Sequence, residues 1–354
     1  MFALLMAGGQ GTRLWPVSRK AKPKQLLKLI ENKTLLEATY HRLQQGFAPK
    51  EIFIATTADY ERHIKKQLPE IPKTNYSIEP VLKDRGPALG LAALLMHHAD
   101  RQSAFVTSWS DHYIKDQAAY FKTLSLAEKV LKTHPNSFIT IGVKPTHAHT
   151  GLGYIKLAGQ LGHKTFKVSA FKEKPDLKTA EKFVKSKKYL WNTGYFICRT
   201  EHLLELYAEH LPEIYALLMK IKPFIGGKKQ QWAIDKYYPA MPKQDIEKGL
   251  IEKLSQVAVV EAGFDWADIG SWQIIKDVLS EKNDNLIKGL ALHHKAEGSL
   301  IYNFENKLVA VTGLKDIIVV NTKDALLIAP KNQSEAVKEL IEKIKCEPNL
   351  KKYL

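Results

Sequence analysis

Along the first half of the chain the apolar positions fall into two alternating patterns. Short, nearly continuous apolar runs occur at 2–7 (FALLMA), 51–57 (EIFIATT), 104–109 (AFVTSW) and 137–143 (SFITIGV). Runs of this length between turn signals read as buried strands. Between them, 34–47, 58–68, 86–100 and 117–134 place apolar residues at helical spacing. Thr34 and Glu37 have the spacing of a capping box. Pro87 stands near the start of its segment, where a helix accepts proline. Strand and helix in alternation predict an α/β fold with a mostly parallel sheet and helices on both faces.

The pattern changes at Gly151. Strand-like pieces GYIKL, FKVSAFKEK and YLWNTGYFIC are interleaved with helix-like segments such as HLLELYAEHL, and a second lobe facing the first across a cleft is expected. Beyond Lys282 short β runs follow one another, broken by Gly, Asn and Asp at nearly regular spacing. That texture predicts a small β-solenoid or a sandwich-like cap. NQSEAVKELIEKIK closes the chain as an amphipathic helix.

Composition narrows the class. The 354 residues are 45% hydrophobic and 25% charged, which suits a globular protein of one large α/β domain and a smaller appendage. No apolar run approaches the ~20 residues of a membrane span, so no membrane is expected as a partner. The opening MFALLMAGG lacks a basic stretch before its apolar run and reads as a strand, not a signal peptide. Two cysteines, Cys198 and Cys346, without metal spacing, fit a reducing cytoplasm. The formal charge of +16 comes from scattered lysines without an arginine-rich stripe. It reads as solvated faces with some attraction for a polyphosphate substrate, and not as a nucleic-acid surface.

The first strand runs straight into AGGQGTRLWPVSRKAKPKQ. No GKS or GKT follows, and Gly8, Gly9 and Gly11 crowd too closely for a G-x-G-x-x-G turn. Glycines after a buried strand let backbone N–H groups face an anion. Arg13 offers a planar fork to phosphate oxygens and Lys24 a movable point charge. A triphosphate is the anion this loop suits. Asp111 follows the strand at 104–109, at the end of a strand where α/β sheets bind ligands. The histidine pairs His97-His98, His147/His149 and His293-His294 lack a third ligand at metal spacing and read as packed or solvated side chains. Trp191, Trp266 and Trp272 read as packing residues.

In order along the chain, GGQGTRLWPVSR…PKQ, EPVLKDRGPALGLAA, SDHYI, GLGYI, FKEKP, NTGYF and FDWADIGSW closely resemble the signature segments of the mannose-1-phosphate guanylyltransferases, in the sugar-nucleotidyltransferase superfamily. NKLVAVTGLKDIIVVNTKDALLIA resembles that family's C-terminal left-handed β-helix. The resemblance covers nearly the whole chain and is to the short form, without a phosphomannose isomerase domain. It implies a Rossmann-like nucleotidyltransferase domain at 1–282, with a nucleotide lobe at about 1–150 and a sugar-phosphate lobe at about 151–282, then the β-helix and terminal helix at 283–354. The sequence departs from the family in three places. Lys83-Asp84-Arg85-Gly86-Pro87 stands for the usual R-N-T-A-P, Leu152 replaces an aromatic, and Trp109 stands where proline is common.

The activity implied is transfer of GMP from GTP to α-D-mannose 1-phosphate, in GDP-mannose biosynthesis. The nucleotide would be held by Ala7, Gly8, Gly9, Gly11, Thr12, Arg13, Glu79, Pro87 and Asp111. Glu79 can accept from guanine N1–H and N2–H₂, a donor pair that only guanine presents. Gly153, Glu173, Lys174 and Asn192 would hold the sugar phosphate, with Arg13, Lys24 and Lys174 offsetting charge in catalysis. Glu173 and Lys174, adjacent on a strand-like run, are expected to diverge. Mg²⁺, which prefers hard oxygen ligands, would be held by Asp111 and Asp268, with Asp265 a competing ligand that spacing does not exclude. Transfer of another nucleotide or to another sugar phosphate, and a non-catalytic GDP-mannose-binding regulator, are the alternatives. A homodimer stays open.

Overall fold

The structure, a computed structural model, describes residues 1–9, 11–30 and 32–354. The strands, in chain order, are β1 Phe2–Met6, β2 Ile52–Thr57, β3 Tyr76–Glu79, β4 Ala104–Trp109, β5 His112–Ile114, β6 Phe138–Val143, β7 Tyr154–Gly162, β8 Thr165–Lys172, β9 Tyr189–Arg199, β10 Val257–Glu261 and β11 Trp266–Asp268. Six shorter strands follow: β12 Leu286–Lys288, β13 Ala291–His294, β14 Leu300–Asn303, β15 Val309–Thr312, β16 Ile317–Asn321 and β17 Leu326–Pro330.

The chain divides into two compact units. The first comprises Met1–Gly8, Tyr40–Trp109 and Ile114–Trp266. Its sheet has nine strands in the order β3-β2-β1-β4-β9-β6-β10-β8-β7, and β7 also pairs with β9. The expectation of a mostly parallel sheet is met in part. β3, β2, β1 and β4 are parallel, as are β6 and β10. β9 enters antiparallel between β4 and β6, and β8 is antiparallel to β10 and to β7. The sheet is therefore mixed. The buried runs that gave strands their signature say nothing of direction, because strands buried on both faces look alike either way.

Helix Arg85–Ala99 lies at the centre of this unit's packing, buried from Gly86 through Met96. Leu91, Ala93 and Met96 are inaccessible, and the helix packs with Phe53, Phe105, Phe196 and Tyr207. A helix that is apolar on every side belongs inside a domain. Asp84 caps it, accepting from the Arg85 N–H at 2.9 Å.

The second unit comprises Gly9–Thr39, Ser110–Tyr113 and Ala267–Leu354. β12, β14 and β16 stack in parallel, β17 closes the stack antiparallel, and β13 pairs in parallel with β15. Leu286, Leu300 and Ile318 occupy equivalent places on successive strands. Of the two readings of this region the solenoid is the one formed. Side chains alternate faces. Ile301, Val319 and Val311 form one small core, while Leu300, Tyr302, Ile318 and Val320 pack with Leu14, Trp272 and the terminal helix Val337–Cys346. The capping box is present, with Glu37 N–H donating to Thr34 Oγ1 at 3.1 Å and Thr34 N–H to Glu37 Oε2 at 2.7 Å. Among the described residues no helix is long and apolar enough to cross a membrane.

Candidate functional site

The residues singled out in the sequence fall into two groups, one in each unit. In the second unit Gly11 has φ +63°, and a Cβ there would lie 2.3 Å from Lys24 Cγ. Glycine is needed on both counts. The turn lets Lys24 run inward from its short 3₁₀ segment, and the side chain is almost wholly buried. Its ammonium forms an ion pair with Asp111, lies 3.5 Å from Asp268 Oδ1 and donates to the Ile269 carbonyl at 3.2 Å. Burial opposes its charge, but Asp111 and then Asp268 outweigh burial and hold its pKa above the ordinary lysine value.

Asp111 and Asp268 are brought together by the backbone, since Ile269 N–H donates to the Asp111 carbonyl at 3.0 Å. Burial pushes the Asp268 carboxyl up. Lys24, His112 and Arg13 together overcome that and hold it below the usual carboxylate value. Asp268 Oδ1 is buried and accepts no hydrogen bond from the described residues. Asp111, His112 and Asp268 each offer a ligand atom, all within 4.8 Å of one another. This donor set, two hard carboxylates and an imidazole, with Asp268 Oδ1 holding no hydrogen bond beyond its long ion pair to Lys24, fits a divalent cation. Asp265 is exposed and lies outside the cluster. His112 was missed in the sequence, where it was only one letter of a segment.

Arg13 extends past Gly270, where a Cβ would lie 3.1 Å from Arg13 Nη2, and its Nη1 donates to Glu335 Oε2 at 2.6 Å. Gly9 and Thr12 belong to the same unit.

In the first unit Ala7 follows β1 and its N–H donates to Ala55 O at 2.8 Å, and a Cβ on Gly8 would meet Glu79 Oε1 at 3.8 Å, an ordinary contact distance. Glu79 ends β3 and accepts from the Tyr238 hydroxyl at 2.5 Å. Burial pushes its carboxyl up to about 7, against the Tyr238 hydrogen bond, and Asp84 adds to the rise. Pro87 is buried in the first turn of its helix. Tyr238 carried no signal in sequence.

Gly153, Glu173 and Asn192 also meet. Asn192 N–H donates to the Gly153 carbonyl at 2.8 Å, and a Cβ on Gly153 would lie 2.5 Å from Glu173 Oε2. Asn192 Oδ1 accepts from Thr140 Oγ1 at 2.9 Å and from Gly194 N–H at 3.2 Å. With its oxygen so used, the NH₂ end is the group suited to a ligand. The expected divergence of Glu173 and Lys174 is corrected. β8 ends at Lys172, Lys174 has φ +45°, and its Nζ lies 3.1 Å from Glu173 Oε1. A left-handed residue breaks the strand alternation that divergence assumed. His147 and His149 pack edge-on against Trp191, with ring centroids 5.0 and 6.1 Å away.

Comparison with known proteins agrees with this layout. The nucleotidyl transferase family model matches residues 2–285, and the MannoseP isomerase/GMP-like beta-helix domain matches 295–344. A putative mannose-1-phosphate guanylyltransferase of Vibrio cholerae is 33% identical over 97% of this chain and 74% of its own length. The mannose-1-phosphate guanylyltransferase of Escherichia coli K12 is 31% identical over 98% of this chain and 74% of its own. A crystal structure from Thermus thermophilus, described as a mannose-1-phosphate geranyltransferase, superposes with a TM-score of 0.87 at 29% identity, covering 97% of this chain and 99% of that one. The chain is thus an α/β nucleotidyl transferase with a C-terminal β-helix domain. It belongs to the mannose-1-phosphate guanylyltransferase family.

Proposed function

We propose that the chain transfers GMP from GTP to α-D-mannose 1-phosphate, giving GDP-mannose and pyrophosphate. The observation that carries this reading is the buried Lys24 ammonium set between Asp111 and Asp268 beside Arg13, in a chain whose relatives bear that activity in their names. A phosphate oxygen of the sugar phosphate attacks the α-phosphorus, and the bond from that phosphorus to the β-phosphate oxygen breaks. Pyrophosphate carries the electron pair away. The attacking oxygen is already anionic, so no protein nucleophile is required, and catalysis is positioning with charge neutralisation.

Glu79 accepts from guanine, with Pro87 and the Ala7–Gly8 backbone beside the nucleoside. Gly9, Gly11, Thr12 and Arg13 hold the leaving phosphates, and Lys24 and Lys174 offset charge as the two anions approach. Glu173, Asn192 and the Gly153 backbone hold the mannose ring. Asp111 and Asp268 would hold Mg²⁺, which when bound neutralises phosphate charge. The parallel order β3-β2-β1-β4 is that of the doubly wound nucleotide-binding folds and supports the Rossmann-like reading of this half. The left-handed winding of the β-helix, the 282/283 domain boundary and a cytoplasmic location belong to the same proposal.

The test is a panel of four nucleoside triphosphates against several sugar 1-phosphates, read by pyrophosphate release. GTP with mannose 1-phosphate is expected to be the preferred pair. Another preferred pair would change the substrate, and GDP-mannose binding with no pyrophosphate from any pair would make the protein a regulator.

A further inference from the structure

Arg85 is the first residue of its helix, directly after the stretch that carries Glu79 and Asp84. Its guanidinium is gripped on both prongs. Nη2 donates to Asp245 Oδ2 at 2.5 Å and Nη1 to Glu247 Oε1 at 2.6 Å. Glu247 is itself buried, with a side chain only 2% exposed. The backbones are clipped together at the same place, with Gly86 N–H donating to Gln244 O at 2.9 Å and Gln244 N–H to Lys83 O at 3.1 Å. A Cβ on Gly86 would lie 2.8 Å from the Gln244 carbonyl oxygen, so the two strands of chain cannot be prised further apart by a side chain without loss of the clip.

The third face of the guanidinium meets an aromatic ring. Arg85 Cζ lies 5.7 Å from the centroid of the Trp109 ring. The Trp109 indole N–H donates to the Gly194 carbonyl at 2.9 Å. Gly194 N–H donates to Asn192 Oδ1, and Gly194 sits at φ +74°, where a Cβ would lie 2.7 Å from Trp109 Nε1. A second connection leaves the same 244–253 stretch, because Glu252 Oε1 accepts from Glu173 N–H at 3.2 Å. The segment that presents the base-reading carboxylate and the turn that presents the sugar-binding amide are thus joined, through Arg85, by an unbroken series of contacts.

We infer that Arg85 is a positioning residue that couples the two substrates, tying the 79–87 segment to the Asn192–Gly194 turn through Trp109 and to the Glu173 backbone through the 245–252 stretch. This rests on the reading given under Proposed function. Only arginine can do it: two carboxylates and a ring face are met at once by a planar fork, and the point charge of lysine cannot meet all three. A ligand that orders one end of the series lowers the cost of ordering the other, and the effect is reciprocal.

The experiment compares the unmutated protein with Arg85→Gln, Arg85→Lys, Trp109→Phe and the Arg85→Gln/Trp109→Phe pair. Melting temperature, the GTP-to-ITP ratio of kcat/KM and the KM for mannose 1-phosphate are measured for each. Arg85→Gln should move both substrate readouts together, shrinking the base preference and raising the sugar-phosphate KM by about five-fold or more. Trp109→Phe keeps the ring but loses the N–H to Gly194. It should raise the sugar-phosphate KM and leave the base preference within about two-fold of the unmutated value. In the pair, the two effects on sugar KM should combine to less than their product. Arg85→Lys retains the charge and, if the glutamine variant does not fold, should show the same joint shift at smaller size. A folded Arg85 variant that alters the nucleotide readout and leaves the sugar KM untouched overturns the coupling, as does a pair whose effects multiply. An unmutated protein inactive with every pair of substrates removes the proposed function and the coupling with it.

Discussion

Arg13 Nη1 lies 2.6 Å from Glu335 Oε2, across 322 positions of sequence. The residue expected to hold the leaving phosphates is therefore held by a carboxylate from the segment that precedes the terminal helix. Both side chains are exposed, 39% and 60%. Exposed pairs of this kind are worth about 0.2–1 kcal/mol, so the contact competes with a triphosphate only weakly. Glu335→Gln should lower the KM for GTP by no more than about five-fold and leave the KM for mannose 1-phosphate unchanged. Initial rates with each substrate varied in turn decide it. A GTP KM that stays put would mean that Arg13 does not leave Glu335 for phosphate.

The carboxylate cluster gives a sharper test. Asp111→Asn and Asp268→Asn should each lower kcat by at least about 100-fold, because each removes one anionic ligand of the proposed Mg²⁺, which would supply several kcal/mol. Asp265→Asn should be mild, since Asp265 is exposed and outside the cluster. The reverse order of effect would assign the metal to the other aspartate of DWADIG.

Much of this was legible in advance, for definable reasons. β1, β2, β4 and β6 were apolar runs whose burial sufficed to mark them, and Thr34 with Glu37 carried their own geometry in their spacing. Strand direction was not legible. β9 enters antiparallel between β4 and β6, a choice made by connections and not by residue type. β3 was passed over as a run of only four residues, and β10 was passed over although it is an apolar run as long as β1. Glu247 was not singled out in sequence; it is buried and meets Arg85, 162 positions earlier. Arg85 and Trp109 were noticed as departures from the family pattern, and nothing in sequence showed that they touch.

Glu79 should impose a pH dependence. Its carboxyl keeps its proton up to about 7. Below that pH a neutral acid presents a hydroxyl donor toward guanine N1–H and N2–H₂, which are themselves donors. Above it, the carboxylate accepts from both. kcat/KM for GTP should therefore rise with pH through about 7 and then level off, and Glu79→Gln should flatten that rise. The same substitution should shrink the preference for GTP over ITP, which lacks the N2 donor. A pH profile identical in the glutamine variant would take base reading away from Glu79.

Gly153 is a test of the sugar group that removes none of the proposed side-chain ligands but shifts one of them. A Cβ there would lie 2.5 Å from Glu173 Oε2. Gly153→Ala must displace the Glu173 carboxylate and with it the proposed charged hydrogen bond to a sugar hydroxyl, which would be worth about 1.5–3 kcal/mol. The KM for mannose 1-phosphate should rise about ten- to a hundred-fold, with the KM for GTP nearly intact. Equal rises in both would mean that the alanine distorts the unit instead of the sugar contact.

Lys24 separates charge supplied for catalysis from charge supplied for folding. Its ammonium lies against Asp111 and near Asp268, the same oxygens proposed to hold a divalent cation. The two cations compete for one pair of carboxylates. Lys24→Ala removes the resident competitor and leaves two like charges facing each other without compensation. Without metal the variant should melt at a lower temperature than the unmutated protein. Adding Mg²⁺ should raise its melting temperature by more than it raises that of the unmutated protein, because ligand binding to the folded state alone stabilises it by mass action. kcat should nevertheless fall by at least about ten-fold even at saturating Mg²⁺, since the lysine's charge is needed most as the two phosphates close together. Calorimetric melting with and without Mg²⁺, beside initial rates, reads both halves. A variant whose melting temperature responds to Mg²⁺ no more than the unmutated protein's would show that Lys24 and the cation do not share these carboxylates.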